Sequence, residues 1–177
     1  MCPFDLHIPE PSARPGDQPD FSHLVIPPPG AVPRPDPDAG ASSDIFRQTA
    51  HGVIRVLDDQ GHAVGPWVPD ITPEQLRHGL RAMMLTRTFE DRMFRSHRQG
   101  KTSFFMKSTG EEAIGAAQSM VLGPRDMCFP TCRVLAWLTA RGYPLTDLVN
   151  QIFSNEKDPL KGRQLPILYS ARDYGFY

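Results

Sequence analysis

DMCFPTCRVLAWLTARGYPLTDLVNQIFSNEKDPLKGRQLP, residues 126–166, is the stretch that decides the fold of this chain. Its apolar residues recur at helical spacing on both sides of Gly142, which predicts helices at 131–141 and 145–153. Thr131 is the predicted N-cap of the first of them. The stretch is therefore expected to form two short helices joined by a tight turn.

A cationic side chain stands at the predicted start of the first of these helices. Arg133 lies in its first turn, and a basic turn at 161–163 follows the second helix. Free backbone amides at a helix N-terminus favour anions, and a guanidinium binds phosphate through paired hydrogen bonds. The pattern predicts a site for a phosphate or diphosphate group.

A long helix is predicted upstream, over 73–99. Thr72 and Gln75 have the spacing of a capping box, and Gly100 follows the expected end. The apolar residues expected to form its core-facing stripe are Leu76, Leu80, Met83, Met84, Met93 and Phe94. Arg87 and Asp91, four residues apart, are expected to pair on its surface.

A second helix is predicted over 110–122. Glu111 and Glu112 lie in its first turn, where the helix dipole favours acidic side chains. Two adjacent helical residues point in different directions, so acid–base chemistry by the pair is the less favoured interpretation. A structural role is expected for both carboxylates.

Composition and charge exclude several classes of function. The chain has 177 residues, a formal net charge of -1, 40% hydrophobic and 22% charged residues, which is typical of a globular protein. It has no basic excess for nucleic acid, no apolar run long enough for a membrane span and no signal pattern at its start. We expect a cytoplasmic protein that binds neither nucleic acid nor membrane.

Three cysteines, Cys2, Cys128 and Cys132, are too few and too irregular for a disulfide framework. Zinc would need further ligands at suitable spacing, and none is close in sequence. Reduced thiols that line a core or a site are expected.

The chain is predicted to consist of a proline-rich arm, 1–72, followed by a helical region, 73–177. The arm holds 13 of the 19 prolines, which remove amide donors and favour extended backbone. It also carries large apolar side chains: Phe4, Leu6, Ile8, Phe21, Leu24, Val25 and Ile26. A disordered tail and an arm that packs on another surface both fit this pattern.

One β-hairpin is predicted inside the arm. Residues 53–57 are β-branched and apolar, 58–61 have turn chemistry with Gly61 suited to a positive φ, and 62–64 return. Because a two-stranded hairpin is marginal alone, it is expected to rest on other structure.

Five motifs carry a resemblance to a known family. RVLDDQGHAVGPW (55–67), SFFMKSTGEEA (103–113), FPTCR (129–133), RGYPL (141–145) and SNEKDPLKGRQLPI (154–167) occur in this order. Together they resemble the alpha subunit of the bacterial branched-chain 2-oxoacid (2-oxoisovalerate) dehydrogenase, its thiamine-diphosphate-dependent decarboxylating component.

The resemblance implies a fold and an assembly. The family fold is an α/β thiamine-diphosphate-binding domain, of which this portion should be mostly α, with the extended arm and the small hairpin. Two alpha and two beta subunits are implied, together with a lipoyl acyltransferase component. The implied reaction is oxidative decarboxylation of branched-chain 2-oxoacids with acyl transfer to lipoamide.

The resemblance also implies cofactor-binding positions. The family has a Tyr-Arg pair that contacts the cofactor's diphosphate, and Cys132 and Arg133 stand at these two positions. A guanidinium suits that contact, whereas a thiol is shorter than a phenol and a poor donor. No catalytic residue of this chain is implied.

The family's magnesium motif, Gly-Asp-Gly with a downstream asparagine, does not occur here. The chain is therefore expected to be the N-terminal portion of an alpha subunit, inactive alone. Two alternatives are a non-catalytic helical interaction module with a proline-rich arm, and an anion-binding protein that uses Arg133 and the turn at 161–163.

Overall fold

The computed structural model describes residues 18, 26–36, 49, 53–123, 125–129, 131–133 and 135–177. The chain divides into two compact units, Met1–Asp70 and Ile71–Tyr177. Most of the large apolar side chains named above for the proline-rich arm belong to residues outside the described ranges. Of those side chains only Ile26 is described, and it is exposed.

The described part of the first unit is a corner built on two glycines. A Cβ on Gly65 would lie 2.3 Å from the Cα atom of Gly30, so only a residue without a side chain fits. The Gly30 amide donates to the Arg55 carbonyl at 2.9 Å, and the Trp67 indole donates to the Val32 carbonyl at 3.0 Å. These contacts join the 26–36 segment to 53–67.

The prediction of a β-hairpin is wrong, because residues 53–64 do not form a pair of β-strands. Within residues 53–64 the only pairing is an isolated antiparallel bridge between Leu57 and Ala63. The Asp58 carboxylate accepts hydrogen bonds from the amides of Gln60 (2.9 Å) and His62 (2.8 Å). The turn is thus satisfied locally by a side chain. Only two backbone hydrogen bonds join its two arms among the described residues, from the Asp58 amide to the His62 carbonyl (3.0 Å) and from the Val64 amide to the Val56 carbonyl (2.8 Å).

The second unit begins with helix α1, Pro73–Arg98. Its predicted capping box is confirmed: the Gln75 amide donates to Thr72 Oγ1 at 3.2 Å, and the Thr72 amide donates to Gln75 Oε1 at 2.8 Å. Gly100, at φ 71°, follows its end. The helix start and stop are therefore set by local sequence.

The predicted core stripe of α1 is largely wrong. Leu76, Leu80, Met84 and Phe94 are exposed, whereas Met93 is buried. The buried residues of the helix are Gly79, Ala82, Thr86, Phe89, Glu90 and Met93. Small and polar residues face the other helices because they let the backbones approach closely, and several large apolar residues remain on the outer face.

Helix α2, Glu112–Val121, crosses helix α3, Leu135–Ala140, at very short range. A Cβ on Gly115 would lie 2.9 Å from the Trp137 amide nitrogen and 3.0 Å from the Ala136 Cβ atom. Trp137 is fully buried. The tight crossing therefore requires a glycine in α2, although glycine lowers helix propensity.

Helix α3 is shorter than predicted at its start. It begins at Leu135, and Thr131 does not cap it. The Thr131 hydroxyl instead accepts from the Arg133 amide at 3.3 Å, a local turn that competes with helix formation. Its end is as predicted, because Gly142 adopts φ 74° and the Tyr143 amide donates to the Leu138 carbonyl at 2.9 Å.

Helix α4, Leu145–Ile152, completes the core and organises the C-terminal segment. Leu148 and Ile152 are buried against the cluster around Trp137. The buried Gln151 amide donates to the Leu165 carbonyl at 2.9 Å, and its oxygen accepts from the Ile167 amide at 2.8 Å. The loop after α4 is thereby fixed to the helix.

The regular elements of the described residues are helices, as predicted, with one further 3-10 turn at Arg172–Tyr174. They contain isolated bridges and no sheet, so the structure does not confirm the α/β family fold. None of the described helices has the length and apolar character needed to cross a bilayer.

We predict that Gly115→Ala lowers the free energy of unfolding. Helix propensity alone would raise stability by about 1 kcal/mol. Overpacking against Trp137 and Ala136 should cost about 1–3 kcal/mol and so reverse the sign. Urea unfolding monitored by tryptophan fluorescence measures the difference.

Gln118→Ala is the matched control, because Gln118 is exposed on the same helix. It should change stability by no more than about 0.5 kcal/mol. A Gly115→Ala variant more stable than the unsubstituted chain would contradict the tight crossing of α2 and α3.

Candidate functional site

A buried carboxylate organises the loop that precedes α2. Glu90, on α1, is 1% exposed. Its two oxygens accept from the Ser108 amide at 2.9 Å and from the Ser108 hydroxyl at 2.7 Å. Burial raises the pKa of the Glu90 carboxyl, and these two hydrogen bonds oppose the rise. The loop is thus anchored to the C-terminal half of α1.

The two adjacent acids that follow this loop have different surroundings. Glu112 is buried and forms an ion pair with Arg87 of α1, and it accepts from the Gly110 amide at 2.8 Å. The hydrogen bond from Arg87 is the largest cause that lowers the pKa of Glu112 to about 2. The predicted pairing of Arg87 with Asp91 is wrong, since Asp91 pairs with Lys107 at 2.5 Å.

Glu111 faces the candidate cofactor residue. Its Oε1 atom lies 2.8 Å from Nε of Arg133, and the two side chains are 41% and 43% exposed. The Nε atom is shielded from solvent and its N–H is not aligned for a hydrogen bond, so the contact is an ion pair held by charge. Arg133 lies two residues before α3 in the turn that begins at Thr131.

The terminal nitrogens of Arg133 remain open. Nη1 makes a weak contact with the Met106 sulfur at 3.7 Å. Within the described part of the chain, neither terminal nitrogen donates to a carboxylate or a carbonyl. This half-exposed fork has the geometry that binds two oxygens of a phosphate group, so the chemistry of Arg133 fits one end of a diphosphate.

Cys132, the other predicted position, points to a different environment. Its free thiol is partly buried and packs against the hydrophobic core cluster. The structure therefore brings Arg133 together with Glu111 and Met106, and it places Cys132 with the core. A role in cofactor binding stays a prediction for both residues.

The basic turn at 161–163 has its amides already occupied. The buried Asp158 carboxylate accepts from the amides of Leu160 (2.9 Å) and Gly162 (2.7 Å). No hydrogen bond or ion pair joins this turn to Arg133 among the residues that the structure describes. The turn therefore offers exposed side chains and few free amides to an anion.

The described ranges also contain no group of three acidic, histidine or cysteine side chains close enough to hold a metal ion. The short α3 offers no N-terminal amide site of the kind predicted. The anion-binding chemistry therefore rests on the guanidinium.

Sequence reasoning missed Glu90 and Ser108. The available signal is the spacing of Thr86, Phe89, Glu90 and Met93, which places Glu90 on the buried stripe of α1. A carboxylate on such a stripe requires hydrogen-bond partners, and a serine in the next loop is a suitable donor.

Residues 80–177 match the family described as dehydrogenase E1 component, which covers more than half of the chain. The chain belongs to the dehydrogenase E1 component family. Residues 2–42 of the chain match a second family description, 2-oxoisovalerate dehydrogenase E1 alpha subunit N terminal. The loop at Ser108, the two glutamates and Arg133 all lie within the first match.

The chain is similar to 2-oxoisovalerate dehydrogenase subunit alpha of Pseudomonas aeruginosa, with 51% identity over 177 residues, which cover 99% of this chain and 42% of that protein. The mitochondrial subunit alpha of Mus musculus is 33% identical over 125 residues, 70% of this chain and 28% of that protein. The mitochondrial 2-oxoisovalerate dehydrogenase subunit alpha 1 of Arabidopsis thaliana is 36% identical over 126 residues, which cover 70% of this chain and 26% of that protein. The chain spans less than half the length of these relatives.

We predict that Glu112→Gln lowers stability in a pH-dependent way. The pKa of Glu112 is depressed from 4.5 to about 2, so its ionised form stabilises the fold above pH 4.5 and that stability is lost as pH falls toward 2. At neutral pH the substitution should cost about 1–3 kcal/mol, and the cost should shrink at about pH 3. Urea unfolding at the two pH values measures it.

Glu74→Gln serves as the control, because Glu74 pairs with Arg77 on the exposed surface of α1. An exposed pair should contribute at most about 1 kcal/mol. A cost for Glu112→Gln that is equal at both pH values would contradict the ion pair with Arg87.

Proposed function

We propose that this chain is the N-terminal part of the alpha subunit of a 2-oxoisovalerate (3-methyl-2-oxobutanoate) dehydrogenase. The observation that carries the proposal is the 51% identity to such a subunit over 99% of this chain. The match at residues 2–42 supports the alpha subunit of the branched-chain enzyme in particular.

Arg133 is the proposed contact with the diphosphate of thiamine diphosphate. Its terminal nitrogens donate to no carboxylate or carbonyl among the described residues, and a guanidinium is well suited to phosphate. Paired hydrogen bonds to one phosphate group would orient the cofactor as well as hold it. Cys132 stands beside it as the second proposed cofactor position, where a weak thiol donor adds little affinity.

In this proposal, bound thiamine diphosphate supplies the electron sink for decarboxylation of a branched-chain 2-oxoacid. The acyl product passes to lipoamide on a lipoyl acyltransferase component, and a beta subunit completes an α2β2 assembly. Mg²⁺ accompanies the diphosphate, and no described residue of this chain is assigned to the metal. The chain's own part is to position one end of the cofactor.

A non-catalytic helical interaction module remains the second candidate, favoured by one observation. The outer face of α1 exposes Leu76 (55%), Leu80 (53%) and Met84 (62%). An apolar face of this kind is typical of a protein-binding surface. Cofactor binding separates the two candidates, because an interaction module has no need of Arg133.

We predict that Arg133→Gln weakens thiamine diphosphate binding in the assembly of a complete alpha subunit carrying this sequence with its beta subunit. Loss of a charge-assisted contact should raise Kd by about tenfold or more. Cys132→Ala, the matched neighbour, should change Kd by less than about twofold, because a thiol is a poor donor. Isothermal titration calorimetry with Mg²⁺ present measures both.

Thiamine without its phosphates is the ligand control, and its affinity should be the same for both variants. An unchanged Kd for thiamine diphosphate in Arg133→Gln would contradict the proposed role. Because this chain is proposed to position only one end of the cofactor, the 177-residue chain alone should bind it only weakly. Tight, saturable binding to that chain would contradict this limited role.

A further inference from the structure

The ion pair between Glu111 and Arg133 occupies part of the proposed anion-binding group. Glu111 Oε1 lies 2.8 Å from Arg133 Nε. The guanidinium therefore already has a negatively charged neighbour within the protein. Any phosphate that binds the terminal nitrogens must approach a carboxylate as well as a cation.

The position of Glu111 is fixed by its backbone. Glu111 is the N-cap residue of α2, and its side chain makes no capping hydrogen bond. Its amide donates to the Ser108 carbonyl at 2.8 Å, and Ser108 is held by the buried Glu90. The loop thus directs the carboxylate toward Arg133, and the carboxylate accepts no hydrogen bond from the amides of α2.

The contact is weak enough to be displaced. Both side chains are more than 40% exposed, and exposed ion pairs contribute little to stability. A carboxylate this close nevertheless lowers the positive potential at the guanidinium and repels an incoming anion. Because the ion pair is weak and the carboxylate repels anions, Glu111 can compete with a phosphate group for Arg133.

We propose that Glu111 is a built-in competitor that sets the affinity of Arg133 for phosphate groups. This inference rests on the proposed function, because it takes Arg133 as the diphosphate contact. An arriving diphosphate displaces the carboxylate from the guanidinium or binds against its repulsion. Glu111 thereby favours multiply charged diphosphates, whose attraction to Arg133 exceeds that of a single carboxylate, over carboxylates and other monoanions.

The test measures Arg133 directly in the 177-residue chain. Phenylglyoxal modifies accessible arginines, and peptide mass spectrometry reports the rate at Arg133. Inorganic pyrophosphate, titrated into the millimolar range, should protect Arg133. In Glu111→Gln the unprotected rate should rise, and half-protection should need about two- to fivefold less pyrophosphate than in the unsubstituted chain.

Two further variants separate the contact from overall charge. Glu74→Gln removes the same charge from another exposed glutamate–arginine pair and should leave the protection of Arg133 unchanged. Glu111→Asp keeps the charge at the start of α2 but shortens the side chain, so it should shift protection in the same direction as Glu111→Gln. It also serves if the glutamine variant folds poorly.

The outcomes distinguish the two proposals. If pyrophosphate protects Arg133 equally in the unsubstituted chain and in Glu111→Gln, the competitor role is overturned while Arg133 remains a phosphate site. If pyrophosphate protects Arg133 in no variant, the competitor role and the proposed diphosphate contact both fail.

Discussion

The buried carboxylate of Glu90 is the interaction on which the arrangement of this chain depends. A carboxylate removed from water is costly unless its oxygens accept hydrogen bonds. Here the amide and the hydroxyl of Ser108 satisfy it. The loop before α2 is therefore attached to the C-terminal half of α1, and the two glutamates that follow are held in fixed positions. One of them binds Arg87, and the other faces Arg133.

Features that depend on neighbours in sequence were predictable. The capping box at the start of α1 needs only Thr72 and Gln75, and the end of α3 needs only Gly142 in a left-handed conformation. Both are chemical properties of single turns. The helical character of the region, and the family to which it belongs, could be inferred from such local patterns and motifs.

Features that depend on packing were not predictable in the same way. The helical periodicity predicted a buried stripe of large apolar residues on α1. The structure instead buries Gly79, Ala82 and Thr86, because the helix axes come close together. The start of α3 was misplaced because a threonine hydroxyl accepts equally well in a helix cap or in a local turn. Only the surrounding structure selects between these two uses of Thr131.

The candidate site shows the same division. Arg133 and Cys132 could be identified from motif positions, but the partner of Arg133 could not, because Glu111 is distant in sequence and reaches it through the anchored loop. The account requires this loop to be as firmly held as the core. Amide hydrogen exchange at Ser108 tests that requirement most directly. We expect its amide to exchange as slowly as that of the fully buried Leu138. Exchange as fast as that of the exposed Lys157 would contradict the account.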